Sequence, residues 1–426
     1  MSVELSSVTP ATEQQGGPKR FTILFLIFTA FLNVVGFTIL TPVLPFIVQR
    51  YVSNPDNLAT VVGWLMASYA ICQFIAAPGL GLLSDRFGRR PILLICLSGS
   101  VLGYLIFGIG GALWVLFLGR IVDGLTGANF SILAAYVGDV TTPEERGKLF
   151  GQIGGVAGIG FIVGPVIGGF AARLGYSAPL YLAAAVLFAN TIWGFFAMPE
   201  SLHPKHRSTQ LRLSDLNPLK QIRNIFAIPH LRWLLITTIC HGLPLIMFST
   251  ALAVLAADKL HWVPENIGLL LLLVGCVDIV LQGVLSGKLI LRFGEIRLTS
   301  AGLICEAVGY VLVGVTALVP QPAFLLTGIF LFAVGSGLLE PPLNALISTA
   351  AGPREQGTVQ GGNEALTSLN GIIGPLLAGV LYVRFGGEAP YWLGATILLL
   401  GSVSILVAAQ QLDRHQGATE AEPVNA

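Results

Sequence analysis

Six ionisable side chains lie inside long apolar stretches of this sequence. They are Arg120, Asp123, Asp278, Glu306, Glu340 and Glu364. Withdrawal from water favours the neutral form of a carboxyl group, so such a group can take up a proton on one side of a membrane and release it on the other. A membrane potential contributes about 2.3 kcal/mol per charge per 100 mV. Since about 1.4 kcal/mol is a tenfold ratio, one proton moved across about 100 mV would sustain roughly 40-fold accumulation of a solute.

Arg120 and Asp123 lie three residues apart, which places them on one face of a helix. An arginine deep in an apolar helix is costly unless it is paired, and Asp123 is within reach. Two interpretations remain equally open at this stage. The pair is either a purely structural ion pair or part of a proton-transfer route.

The four other carboxylates differ in how well a structural role explains them. Asp278 lies near the middle of its apolar stretch and is the favoured proton carrier. Glu306 is also near the middle, but hydrogen bonding within its own half explains it equally well. Glu340 precedes Pro341-Pro342, which predicts a break in its helix. Glu340 and Glu364 lie nearer the cytoplasmic end, where they could instead cap broken helices or line a vestibule.

Uncharged polar side chains and one histidine are candidates for a substrate cavity, although each could instead make a packing hydrogen bond. These candidates are Asn33, Tyr69, Gln73, His241, Gln282, Asn344 and Asn370. The five cysteines lie within apolar stretches and have neither metal-ligand spacing nor a disulfide pattern. His203 and His206 lie in a loop with no third ligand nearby. No nucleophile–base pair is evident, so the sequence predicts neither an enzyme nor a metal site.

The elements that position these side chains are indicated by composition. Charged residues make up 11% of the chain, against about 25% in ordinary soluble proteins. Hydrophobic residues make up 54%, more than a soluble fold of this size could bury. These figures exclude a soluble enzyme, a nucleic-acid binder and a disordered protein. The fold class is therefore an all-α polytopic membrane protein.

Twelve apolar runs are long enough to cross a bilayer, which needs about 20 residues. The predicted spans are 20–49, 59–82, 91–109, 112–138, 147–172, 178–198, 231–257, 264–289, 298–319, 322–350, 357–384 and 389–410. The first run is too long for a signal-peptide core and is predicted to be a retained helix.

The orientation follows from the distribution of Lys and Arg. The segments on one side carry most of them, whereas the segments on the other side carry Arg50, Arg173, Lys259 and Arg384. Positive charge concentrates in cytoplasmic loops, so both termini are predicted to be cytoplasmic. The expected location is the inner, or plasma, membrane with the lipid bilayer as partner.

The chain repeats itself once. The sequence GLLSDRFG at 81–88 matches GKLILRFG at 287–294 at five of eight positions, and Gly-Pro at 164–165 recurs at 374–375. Two six-helix halves around a central site are a common architecture of secondary transporters. The predicted organisation is a disordered cytoplasmic tail (1–18), an N-terminal half (19–198), a cytoplasmic linker (199–230), a C-terminal half (231–410) and a cytoplasmic tail (411–426).

The short loop after span two reads GLLSDRFGRR at 81–90. A basic loop that fixes topology would explain its arginines but not an aspartate between glycines. The pattern resembles the signature of the major facilitator superfamily, which is expected to latch the two halves together on the cytoplasmic side. That resemblance assigns the latch role to Gly81, Asp85, Arg86, Gly88, Arg89 and Arg90. Gly81 is also expected to let two helices approach closely.

Two further patterns narrow the resemblance. The GRIVDG sequence at 119–124 is similar to the family's second motif, whose arginine serves proton transfer. Span five carries glycines at four-residue spacing, which make a flat face for helix packing. Its GPxxGG pattern resembles the signature of the drug/proton antiporter branch. The residues of that pattern and of the packing face are Gly160, Gly164, Pro165, Gly168 and Gly169.

Nearly the whole chain is similar to the bacterial tetracycline/proton antiporters, for example NVVGFTILTPVLP at 33–45 and VGDVTTPEERGKLFG at 137–151. Three departures concern charge. Those proteins carry a buried aspartate where this chain has Asn33, a histidine where it has Asp278, and an aspartate where it has Glu306. Asn33 cannot titrate, and Asp123 could supply the carboxylate that the N-terminal half then lacks.

The resemblance implies a secondary active transporter that exports small amphipathic organic compounds in exchange for protons, by alternating access. The expected energy source is the proton gradient with no cofactor, and a monomer is expected to suffice. Asn33 favours one alternative, a metabolite exporter or uniporter without proton coupling. A non-transporting membrane sensor is a further alternative, which the short loops disfavour. No nucleic-acid partner is expected.

Overall fold

The computed structural model describes residues 20–203, 205, 207, 218–351 and 356–421. The predicted disordered tail at 1–18, the middle of the predicted linker including His206, and the last residues, 422–426, lie outside the described residues. The remaining chain is helical, with short connections.

The twelve predicted spans are confirmed, since the described residues contain twelve helical segments that are long and apolar enough to cross a membrane. In order they are Arg20–Ile39, Leu58–Phe87, Arg89–Ile109, Leu113–Leu125 with Asn129–Val140, Pro143–Ala171, Ala178–Ala197, Arg232–Leu260, Pro264–Asp278 with Ile279–Leu285 and Ser286–Phe293, Glu295–Leu318, Pro322–Ala350, Gln356–Phe385 and Ala389–Ala421. Short helices cover Leu44–Val48 and Pro218–Phe226.

The ends of the first and last predicted spans differ from the structure. Span one ends at Ile39 and is followed by a turn and the helix Leu44–Val48, whereas a single run to residue 49 was expected. The last helix continues to Ala421, so most of the predicted tail at 411–426 extends span twelve. Hydrophobicity marks the apolar part of a helix and not its polar continuation, which explains the second difference.

Each half has its own apolar core. In the C-terminal half, Phe248 stacks on Phe332 with ring centroids 4.3 Å apart, and Tyr310 and Tyr391 pack on the same ring. Spans nine and ten approach closely because glycines face each other, such as Gly309 and Gly328. Close backbone packing at small residues is the usual way in which membrane helices associate.

The two halves touch at the end of the molecule that contains the turns after spans one, three and five, called here the closed end. Spans two and eleven cross there so tightly that a side chain at Gly63 would meet the carbonyl of Pro375. Spans five and eight cross in the same way, with Gly268 against the carbonyl of Pro165. The Gly-Pro pair that repeats in the sequence therefore marks two equivalent contacts between the halves.

Two polar contacts add to the closed end. Thr60 Oγ1 donates a hydrogen bond to the carbonyl of Gly379 over 3.2 Å. Arg173 Nε, at the end of span five, lies 2.9 Å from Glu265 Oε1 at the start of span eight. Both contacts join the N-terminal half to the C-terminal half.

The opposite end, called here the open end, contains residues 81–90. A side-chain carbon added at Gly81, Gly151, Gly155, Gly283 or Gly287 would meet no described atom within 4 Å. The expected close approach of a helix at Gly81 is therefore wrong for this conformation, because the halves separate at this end. Under the predicted orientation, the structure is open to the cytoplasm.

Two spans are irregular in the middle of the bundle. Span four stops at Leu125 and resumes at Asn129, where one continuous span was expected. Span eight widens into a π-helix over Ile279–Leu285, immediately after Asp278. Such π segments are frequently found at functional sites.

The predicted break at Pro341-Pro342 is wrong. The helix Pro322–Ala350 continues through both prolines. Membrane helices tolerate internal proline because neighbouring helices and local adjustments satisfy the freed backbone groups. Glu340 therefore projects from the interior of a helix and caps no break.

Candidate functional site

The polar centre of the C-terminal half consists of His241, Gln282, Glu306 and Glu340, which come from four different spans. His241 Nδ1 lies 3.1 Å from Glu306 Oε2. Its other ring nitrogen, Nε2, lies 3.5 Å from Glu340 Oε1. Gln282 Nε2 donates to Glu340 Oε2 over 3.4 Å. One imidazole thus lies between two carboxyl groups.

These two carboxyl groups differ in exposure. The Glu306 side chain is fully buried, whereas that of Glu340 is 38% exposed. Charged side chains within membrane spans face the bundle interior or a water-filled cavity, so the exposed part of Glu340 is assigned to the space between the halves. The other carboxyl oxygen of Glu306, Oε1, has no hydrogen-bond partner among the described atoms.

Asp278 lies at the start of the π-helical segment and is partly buried. Its Oδ1 has no hydrogen-bond partner among the described atoms. Neither the following π segment nor the rest of span eight, 286–293, contains a buried residue. This part of span eight is therefore only partly covered, on the side where Leu281 and Gln282 meet span ten.

The polar centre of the N-terminal half is the ion pair of Arg120 and Asp123, as their spacing predicted. Arg120 Nη1 lies 3.4 Å from Asp123 Oδ2, and both side chains are buried. The guanidinium also lies over the ring of Tyr69, 4.4 Å from its centroid, a favourable cation–π arrangement. Gly103 makes room for this pair, since a side chain there would meet Asp123.

Asn33 and Gln73 make hydrogen bonds to the residues at the interruption of span four. Asn129, the first residue after the break, donates to Asn33 Oδ1 over 2.8 Å, and Asn33 donates to the carbonyl of Thr29. Gln73 Nε2 donates to the carbonyl of Gly127 over 2.7 Å, inside the break. Both candidate cavity residues thus bind protein groups. Asn129 was missed by sequence reasoning, although the preceding Thr126-Gly127 was a signal for a break.

The remaining candidates are not part of either centre. Asn370 is buried, and its amide nitrogen is the atom that a side chain at Gly242 would meet. Asn344 and Glu364 are exposed. Among the described residues, no group of three or more His, Cys, Asp or Glu side chains is arranged to hold a metal ion.

The prediction of a loop at 81–90 is wrong except at Gly88, since span two continues to Phe87 and span three begins at Arg89. Contacts with the N-terminal half and with Glu200 hold this segment. Arg89 binds Asp85 at 2.5 Å and Asp139 at 3.1 Å. The backbone N–H groups of Arg89 and Arg90 donate to the carboxylate of Glu200. Gly88 has φ of 112°, a conformation that favours glycine. These contacts come from the N-terminal half and from Glu200 at the start of the linker, and none of them comes from the C-terminal half, because the halves are apart at the open end.

Sequence reasoning missed Asp139 and Glu200 as partners of this segment, because both are distant from it in the chain. The predicted members Gly81 and Arg86 make no such contact in the described structure: Arg86 lies beside the ring of Phe87, and nothing described lies near Gly81.

The glycines of span five form the predicted packing face, but for two different neighbours. Gly160, Gly164 and Gly168 face span one, and Thr38 Oγ1 donates to the carbonyl of Gly160 over 3.3 Å. Gly169 faces Pro264 and Glu265 of span eight across the interface between the halves. The glycines of this signature therefore pack span five against span one, which carries Asn33, and against span eight at the closed end.

Two six-helix bundles, joined at one end and apart at the other, with buried ionisable groups in each, are an architecture typical of secondary transporters. The sequence profile of the Major Facilitator Superfamily matches residues 26–243 and 234–424. The chain belongs to the Major Facilitator Superfamily. It is consequently a multi-pass membrane transporter and not an enzyme.

Similar proteins agree with the predicted resemblance. The chain is 34% identical over 402 residues to the class C tetracycline resistance protein of Escherichia coli, covering 92% of this chain and 96% of that protein. It is 32% identical to multidrug resistance protein 2 of Bacillus subtilis (strain 168), covering 90% and 94%. The crystal structure of a human organic anion transporter superposes with a TM-score of 0.70 at 22% identity, covering 91% and 99%, which shows a shared fold.

Proposed function

We propose that this protein exports small amphipathic organic compounds, including drugs, from the cytoplasm in exchange for protons. The names of its relatives, tetracycline resistance and multidrug resistance proteins, support drugs as substrates. The proton gradient is the proposed energy source, with no cofactor. The proposed site of action is the plasma membrane, and a monomer suffices because each half contributes its own polar centre.

The observation that carries the proposal is the polar centre of the C-terminal half. Glu340 is accessible, while Glu306 is enclosed and shares His241 with it. One imidazole can offset the charge of at most one of these carboxylates, and Asp278 adds a third acidic group nearby. The remaining charge must be balanced by a proton or by a cationic group of the substrate, since unbalanced buried charge is costly. Competition between the two is the basis of exchange.

The glycine contacts support alternating access as the proposed mechanism. In the present conformation the closed end is sealed by spans two with eleven and five with eight. Rocking of the halves would open this end and bring the bare glycine faces at the open end together. The substrate, bound between the halves, would then be released on the other side.

The test uses the purified protein in liposomes with an imposed pH gradient and two probes, tetracycline and the fluorescent cation ethidium. We expect the gradient to drive accumulation of at least one probe and the reverse gradient to deplete it. The matched variants are Asp278→Asn, Asp123→Asn and Glu306→Gln. If all three retain coupled transport, or if neither probe responds to the gradient, the proposal is wrong.

Transport without proton coupling is the second candidate. It is favoured by Asn33, which binds Asn129 through an amide that cannot titrate, and by Asp123, which is occupied by Arg120. In that case probe flux would follow the probe's own gradient and would not change when an ionophore collapses the pH gradient.

A further inference from the structure

Glu306 is enclosed more completely than any other carboxylate of the two polar centres. Its side chain is 0% exposed, and its only described hydrogen-bonding neighbour is His241. An enclosed carboxyl group exchanges its proton only through a group that touches it. The route to Glu306 must therefore pass through the imidazole of His241.

Other titratable groups surround the pair without offering a second route. Cys305 donates its thiol to the carbonyl of Leu331. The hydroxyl oxygens of Tyr310 and Tyr391 are buried and have no hydrogen-bond partner among the described atoms, so they do not bind Glu306. Asp278 approaches from span eight, and Cys240 precedes His241 on span seven, but neither has a described hydrogen bond to the imidazole or to Glu306.

The far side of the imidazole faces the accessible carboxyl group. His241 Nε2 is 3.5 Å from Glu340 Oε1 and makes no well-aligned hydrogen bond yet. A movement of Glu340 by about half an ångström would bring the two atoms to ordinary hydrogen-bond distance. Gln282, which binds the other oxygen of Glu340 and belongs to the π-helical segment, is placed to control that approach.

We propose that His241 relays protons between Glu340, which meets the cavity, and Glu306, which stores the proton out of reach of the substrate. In the step, Glu340 gives its proton to Nε2 while Nδ1 gives its proton to Glu306. Glu340 becomes a carboxylate, Glu306 becomes neutral, and the ring remains neutral in its other tautomer. One proton moves and the total charge is unchanged. This assignment rests on the proposed proton-coupled export and adds a proton-transfer role for His241.

The experiment compares two fluxes of ethidium in liposomes that contain the full-length protein. The first is accumulation driven by a pH gradient, which requires proton movement. The second is exchange of labelled for unlabelled probe at equal pH, which requires only alternating access. The variants are His241→Gln, Glu306→Gln and the double variant, with His261→Asn as the control. His261 is an exposed histidine just beyond the end of the same span.

We expect both single variants to lose gradient-driven accumulation by about 100-fold, the usual contribution of a positioned proton-transfer group, and to retain exchange. The double variant should lose no more than either single variant, because the two groups act in series. The His261→Asn control should retain both fluxes. Retained exchange also shows that each variant is folded.

Two results would overturn the relay while leaving proton-coupled export intact. One is gradient-driven accumulation by His241→Gln at the wild-type rate. The other is a loss in the double variant equal to the product of the single losses, which would mean that the residues act independently. Wild-type exchange without any response to the gradient would instead refute the proposed export mechanism, and the relay with it.

Discussion

The polar centres of the two halves differ in the groups that face each other. In the N-terminal half, Asp123 is paired with the guanidinium of Arg120. In the C-terminal half, two carboxyl groups share the single imidazole of His241. Asn33 and Asn129 complete the N-terminal centre with amides that do not titrate. We infer from this difference that the ion pair of the N-terminal half has a structural, or scaffold, role. The C-terminal half then supplies the groups that change protonation during transport.

The largest expected effect concerns the fixed pair. Asp123→Asn leaves the guanidinium of Arg120 buried without a carboxylate, and breaking a buried ion pair costs about 3–5 kcal/mol. We expect thermal unfolding of the purified protein in detergent to shift to markedly lower temperature. The double variant Arg120→Gln/Asp123→Asn should recover much of the loss because no charge is left unpaired. Wild-type stability of Asp123→Asn would contradict the scaffold role.

The second effect should appear in transport and not in stability. Glu340→Gln keeps a hydrogen-bonding side chain opposite Gln282 but removes an accessible titratable group. We expect gradient-driven accumulation of ethidium to fall by about tenfold or more, with little change in unfolding temperature. Glu364→Gln, an exposed glutamate of span eleven, is the matched control. Equal losses in the two variants would mean that the position of Glu340 beside His241 has no special part in proton coupling.

The third prediction tests whether the N-terminal half can be made titratable. Asn33→Asp places a carboxyl group where Asn129 now donates a hydrogen bond over 2.8 Å. The oxygen that replaces the amide nitrogen of Asn33 would face the carbonyl of Thr29, to which only a protonated carboxyl group can donate. Since one oxygen then has a donor and the other an acceptor, both protonation states are accommodated, and we expect a working protein that moves more protons for each probe molecule. The ratio is measured as the probe gradient that exactly balances a known pH gradient. An unchanged ratio would show that a carboxyl group at position 33 takes no part in proton coupling.

The smallest effect is expected where the two halves meet. Arg173 is 64% exposed, so its ion pair with Glu265 is worth about 0.2–1 kcal/mol. In Arg173→Ala, the fraction of molecules in which the two halves have separated at the closed end should therefore rise by no more than about fivefold. Labelling of a cysteine introduced at Thr60 reports that opening. The exchanged pair Arg173→Glu/Glu265→Arg should restore the wild-type labelling rate, and failure to do so would mean that the pair does not hold the closed end.

Several features of the candidate site were predictable because they depend on neighbours in the chain. The Arg120–Asp123 pair follows from its three-residue spacing, and the packing face of span five follows from glycines at four-residue spacing. The interruption of span four and the π segment after Asp278 were not predicted. Both depend on side chains from other spans, such as Gln73, which binds the carbonyl of Gly127.

The sequence by itself determined twelve spans, an internal repeat and the depth of each ionisable residue, because local hydrophobicity decides which segments leave water. It could not decide the rotation of each helix about its axis. That rotation pairs His241 with Glu306, 65 residues away, and turns Glu340 toward the same imidazole. The open end was likewise decided only by tertiary packing, since glycines occur at both ends of the spans but contact the other half at only one of them. The sequence therefore determines which segments span the membrane and which ionisable residues they carry. Which of these residues contact one another is decided only when helices distant in sequence pack together.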